Sequence, residues 1–146
     1  MSAGALTLFD STLNGLLRGT VPPLDVSPFT ALLLAPGYVP DTAAHSVFAD
    51  VEAFELKATD AVRLLLTGTM VTGAAFHSDD LMFGDPISIG PVRHMALVAG
   101  NPGGLVPSSM LIVVADLAPA GGALEAQRGR FAVTAPAAGW FSLARL

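Results

Sequence analysis

Apolar residues recur along this chain in two different rhythms. Between Leu6 and Leu17 they fall at Leu6, Phe9, Leu13, Leu16 and Leu17, the spacing of one helix face. Gly19 and then Val21-Pro22-Pro23 supply the stop. The expectation is a short amphipathic helix, or an N-terminal arm that orders on contact with a partner, over residues 1–25. From Phe29 the rhythm changes. Phe29 to Ala35 is apolar at both parities, as in a strand covered on both faces, and Pro36-Gly37 ends it. Tyr38 to Asp50 reads as a long irregular connection with a helical turn near residues 43–49. Val62–Thr67 and Thr69–Phe76 read as strands separated by Gly68, with a polar turn at His77–Asp80.

Further strands are expected at Arg93–Ala99, Met110–Ala115, Arg130–Thr134 and Trp140–Leu143. Met110–Ala115 is the strongest β-branched run and is expected to be central. Gly-Pro-rich loops at Gly100–Gly104 and Pro119–Gly122 divide these segments. Many short strands with turn signals between them predict an all-β fold, a jelly-roll-like antiparallel β-sandwich or barrel over residues 26–146 with the short helix or arm in front. The 146 residues fit a single domain.

Composition sharpens this picture. Hydrophobic residues make up 52% of the chain and charged residues only 13%, against about 25% charged in an ordinary soluble domain. Mean hydropathy is +0.62. A membrane span needs about 20 consecutive apolar residues, and the best runs, Ala31–Ala35 and Met110–Ala115, are far shorter. Met1 to Asp10 lacks the basic start of a signal peptide. Membrane is therefore not an expected partner. One reading is that alanine inflates the apolar score. The sharper reading is that neighbouring subunits cover apolar surface, because obligate interfaces are poor in charge.

The net charge is −5, and the basic residues are scattered apart from Arg128 and Arg130. A phosphate backbone calls for a basic patch, so nucleic acid is not an expected partner either. With no cysteine, disulfides, thiolate metal sites and cysteine nucleophiles are excluded. That composition fits synthesis in a reducing cytoplasm.

Three groups of residues could carry chemistry. His77-Ser78-Asp79-Asp80 is the one tight cluster of metal-ligand types, but a catalytic site needs three placed ligands and an open position. A polar turn between strands explains the same residues. His45 between Asp41 and Asp50 could form a base with an orienting carboxylate, yet Pro40-Asp41-Thr42 is also a good turn or helix-start sequence, and Asp41 or Thr42 as the cap of the following turn is the favoured reading. His94 sits in an expected strand and reads as a satisfied sheet histidine. The sequence also lacks a Gly-x-Ser-x-Gly elbow, a phosphate loop and a His-Glu-x-x-His. The expectation is no enzyme, no catalytic or metal-binding residue and no cofactor.

Three stretches together resemble the small structural proteins encoded among the head and tail genes of tailed bacteriophages. The first is Leu13-Asn14-Gly15-Leu16-Leu17-Arg18-Gly19 with Phe29–Leu34, continuing through Tyr38-Val39-Pro40-Asp41, His45 and Phe48-Ala49-Asp50-Val51. The second is Phe76–Phe83 leading into Val92–Val98, and the third is Gly139-Trp140-Phe141-Ser142-Leu143. Two departures stand out: Lys57–Val62 replaces a glycine-rich stretch, and Phe83 replaces a tryptophan. The resemblance implies a virion component, most like a capsid decoration or cement protein whose partner is the major capsid protein. Acidity favours the capsid exterior, away from packaged phosphates. Self-association is expected, as a two-fold dimer in preference to a trimer. The N-terminal arm, the Pro36–Asp50 connection and the glycine-proline loops are the expected contact elements. The alternatives are a tail-completion or tail-tube-associated protein, and a small metal-assisted hydrolase using His77, Asp79 and Asp80.

Overall fold

A computed structural model describes residues 4–56 and 63–143. The elements run in the order β1 (Leu6–Leu8), α1 (Asp10–Arg18), β2 (Phe29–Leu34), two 3₁₀ turns (Phe48–Asp50 and Glu52–Phe54), β3 (Leu64–Leu65), β4 (Met70–Thr72) and β5 (Ala75–His77). They continue with β6 (Leu81–Val92), β7 (His94–Ala99), β8 (Leu111–Asp116), β9 (Leu124–Val133) and β10 (Phe141–Ser142). The fold is mostly β, and every strand pairing is antiparallel, as the strand-and-turn rhythm predicts.

The centre is a five-stranded sheet in the order β1-β8-β7-β2-β3. Its strands β2, β7 and β8 are apolar at both parities because both faces are covered. Ala31, Leu33, Met95, Leu97, Val113 and Ala115 pack beneath the long β6–β9 ribbon, with Phe76 and Trp140 in the same cluster. Leu32, Leu34, Ala96, Val98 and Val114 face the other way, against Phe9, Tyr38, Phe48 and Val51. The Tyr38–Asp50 connection thus closes the second core, although it lacks regular structure over most of its length. This double cover also absorbs much of the apolar content of the chain.

One irregularity sets the helix. Leu97 pairs with Val113 while Val98 pairs with Leu111, so Ile112 is an extra residue in β8. Such a bulge turns two consecutive side chains to one face; Ile112 and Val113 both join the ribbon-side core. The ladder is disturbed at this point, and the buried Thr12 of α1 answers it. Its hydroxyl lies 2.8 Å from the Ile112 carbonyl and 3.2 Å from that of Leu111. Phe9 anchors the helix start in the core, and Gly19 ends it in the left-handed conformation that glycine tolerates.

The N-terminal expectation therefore needs correction. Residues 6–8 are a strand paired with β8, not the first helical turn, and the segment is docked in the sheet. The helix buries Thr12 and Gly15, whereas Leu13 and Leu17 face solvent, Leu17 with 88% of its surface exposed. A Cβ at Gly15 would come within 2.8 Å of Val21, so the small residue sets the close approach.

The Thr69–Phe76 segment is not one strand. Gly73 and Ala74 both have positive φ, the signature of a two-residue hairpin turn, and β4 and β5 pair across it. In the Val62–Thr67 segment only Leu64–Leu65 forms a strand; Val62 lies outside the described residues. The 12-residue β6 and the 10-residue β9 exceed the expected elements, since β6 has none in the sequence reading and β9 begins six residues before Arg130. Pro86 and Pro91 look like strand breakers, but each falls where the β6–β9 register shifts, and an irregular edge accepts proline.

Candidate functional site

Tyr38 is the hub of the polar groups on the helix side of the sheet. Its ring stacks on His45 at 5.4 Å and meets the His94 ring edge-on at 5.7 Å. The backbone N–H of Asp41 donates to His45 Nδ1 at 3.2 Å, and the Tyr38 hydroxyl lies 3.0 Å from the same nitrogen. Burial, reinforced by the Asp50 and Asp41 carboxylates, pushes the Tyr38 phenol up to about 12.

Asp41 is the cap that its position predicts: Oδ1 accepts from the N–H groups of Ala43 and Ala44 at 3.1 and 3.0 Å. Asp50 accepts from Ser46 and Val47 at 2.8 and 3.0 Å. Burial opposes the Asp50 charge, but those two N–H groups and His45 outweigh it and hold the carboxyl below its ordinary value. Both carboxylates therefore shape the connection through its backbone. His94 differs from its expected satisfied state, because Nδ1 is buried with no hydrogen-bond partner. Burial lowers its pKa, with Asp116 pulling the other way and Arg93 adding to the lowering.

Ser78, Asp79 and Asp80 likewise bond to the protein's own groups. His77 ends β5. Ser78 Oγ accepts the Trp140 indole N–H at 2.9 Å, Asp79 accepts from the Thr67 hydroxyl at 3.2 Å, and Asp80 accepts from the Ala135 N–H at 2.7 Å. A Cβ at Gly68 would run into the Asp79 carboxylate, and φ there is +62°, which accounts for glycine. Among the described residues, no three His, Cys, Asp or Glu side chains stand where they could hold a metal ion. No helix of the described residues is long and apolar enough to cross a membrane.

The exposed apolar surface lies elsewhere. Leu65 at the end of β3 is 44% exposed and Met82 at the start of β6 is 43% exposed. They line one groove of about 250 Å³ together with Leu64, Thr67, Asp80 and Leu81. In β4 every side chain is exposed, Met70 and Val71 each by 51%. These residues come from both sheets and the ribbon, and they lie at unpaired sheet edges. Between Arg63 and Asp79 the chain carries no Lys, Arg, Asp or Glu. The sequence reading placed contact in the loops and missed these edges; the uncharged run was the one signal that pointed to them. No protein-family model, curated protein or solved structure matches the chain.

Proposed function

We propose that this protein is a structural subunit of a tailed-phage particle, a decoration or cement protein that binds the outer surface of the major capsid protein shell. The observation that carries the reading is the set of apolar side chains left exposed at the sheet edges: Leu65 and Met82 in their shared groove, and Met70 and Val71 beside it in sequence. Exposed strand edges present unpaired N–H and C=O groups to another chain, and contiguous exposed apolar surface marks interaction sites. Asp41, Asp50, Asp79 and Asp80 bind the protein's own backbone or hydroxyl groups, which supports a scaffolding role for those residues. The acidic balance of the chain favours the outer face of a shell over the side that confronts packaged DNA.

The test is co-sedimentation of the purified protein with mature shells that lack it. Saturable binding is expected, weakened at least about tenfold by Leu65→Asp, since about 1.4 kcal/mol suffices for that factor and an unpaired buried carboxylate costs more. A folded protein with no affinity for shells would overturn the reading. Rings that fractionate with tails would move it to the tail-completion role.

A further inference from the structure

We infer that β4 is a self-pairing edge: two copies join antiparallel through residues 69–73, with the two-fold axis passing beside Val71. This rests on the reading of the protein as an assembling subunit and names the second copy as the occupant of that edge.

The register follows from the hairpin. Residues flanking a two-residue turn exchange hydrogen bonds, and pairs then alternate along the ladder. Thr72–Ala75 and Met70–His77 are therefore the bonded pairs, and Val71–Phe76 is the pair between them. An independent contact agrees: the Phe76 carbonyl accepts from the Trp140 N–H at 2.7 Å, on the side away from β4. Val71, opposite Phe76, accordingly turns its own N–H and C=O outward, to the unpaired edge. Thr69 and Gly73 are its outward-facing neighbours. Two copies related by a two-fold axis can then place Val71 opposite Val71, each donating to the other's carbonyl, with Thr69 opposite Gly73 on both sides. The result is a continuous six-stranded sheet, β10-β5-β4 followed by its symmetry mate.

Charge decides the occupant. In this register only Val71 meets its own symmetry equivalent, while 70 faces 72 and 69 faces 73, so a charge at the axis would repel itself and like charges across the other pairs would repel one another. The chain has none between Arg63 and Asp79. The ribbon edges differ, for β6 carries Pro86 and Pro91 in its irregular stretches, and β9 exposes Glu125, Arg128 and Arg130; both are devices that block edge pairing. Among the described edge strands, β4 alone has every side chain exposed. Five residues make a small interface beside the ~1,200–2,000 Å² of standard-size specific complexes, so pairing is concentration-dependent and favoured where a shell gathers copies.

The absence of cysteine makes a clean test. Val71→Cys is expected to give a disulfide-linked dimer on mild oxidation, because Cα atoms about 5.5 Å apart in a bonded pair lie within disulfide reach. Thr72→Cys alone should cross-link at least about tenfold less, whereas a mixture of Thr72→Cys and Met70→Cys should link efficiently, since 70 faces 72 across the axis. Val71→Lys should dissociate the dimer seen by sedimentation at up to about 1 mM protein, and mixing it with Val71→Glu should restore pairing. Absence of cross-linking by Val71→Cys overturns the inference whatever else is seen. If a dimer persists in Val71→Lys, self-association holds but lies elsewhere. If no dimer forms at all yet shells are bound, the decoration reading stands and the β4 pairing falls.

Discussion

Thr12→Val removes one hydroxyl and almost no volume, and it isolates the bond between α1 and the β8 bulge. In the native fold the hydroxyl lies 2.8 and 3.2 Å from the carbonyls of Ile112 and Leu111, and Thr12 is fully buried. Valine sets a methyl group against two carbonyls that water cannot reach. Leaving buried polar groups unsatisfied costs about 1–3 kcal/mol. For a chain of this size each kcal/mol lowers Tm by about 2–4 °C, so a fall of about 2–12 °C is expected in a circular-dichroism melt. Thr12→Ser keeps the donor and loses one methyl group, costing about 0.8 kcal/mol. The reasoning fails if Thr12→Val melts with the wild type, or if Thr12→Ser is the more damaging of the two.

Tyr38 is the sole tyrosine, so its ultraviolet titration reports one phenol. Ionisation is expected near pH 12, or together with unfolding; a midpoint near 10 in the folded protein would refute its burial. Tyr38→Phe keeps the ring contacts but loses the bond to His45, and should lower stability by about 0.5–1.5 kcal/mol in urea unfolding. Acid should act in two stages. His94 has a lowered folded-state pKa, so its contribution is complete above the unfolded-state value near 6.5 and is lost as pH falls from there. Asp50 and Asp116 are also held low. Burial opposes the Asp116 charge but is outweighed by Arg93, the Ala118 N–H and His94, so their contributions persist above about pH 4 and disappear below it. A urea midpoint that stays flat from pH 7 to pH 3 would contradict both stages.

Much of the sheet was legible because burial writes itself into sequence. Phe29–Leu34 and Leu111–Ala115 are apolar at both parities, and both lie in the doubly covered sheet. Asp41 was legible as a cap because a carboxylate two and three residues ahead of free N–H groups has little else to do. The helix register was misread. Leucines at helical spacing suggested the buried face, yet a helix crossing a bulge packs through its small and hydroxyl-bearing side, Thr12 and Gly15. The β6–β9 ribbon was hidden because Gly84, Pro86, Gly90 and Pro91 are loop signals, and only the tertiary pairing shows that irregular stretches absorb them. The hairpin at Gly73-Ala74 was hidden by an alanine at φ 59°, a conformation its identity does not advertise. The exposed edges were illegible for a related reason: Leu65, Met70, Val71 and Met82 look like core residues until the strands beside them are placed.

The account turns on partners covering those edges, and hydrogen exchange measures such cover directly. Comparing free protein with protein bound to mature shells, the amides of Leu64–Thr72 and Leu81–Phe83 should slow on binding, while the Thr12–Ile112 region stays unchanged. Unaltered exchange at these edges in a bound particle, or slowing confined to the Tyr38–Asp50 connection, would contradict it.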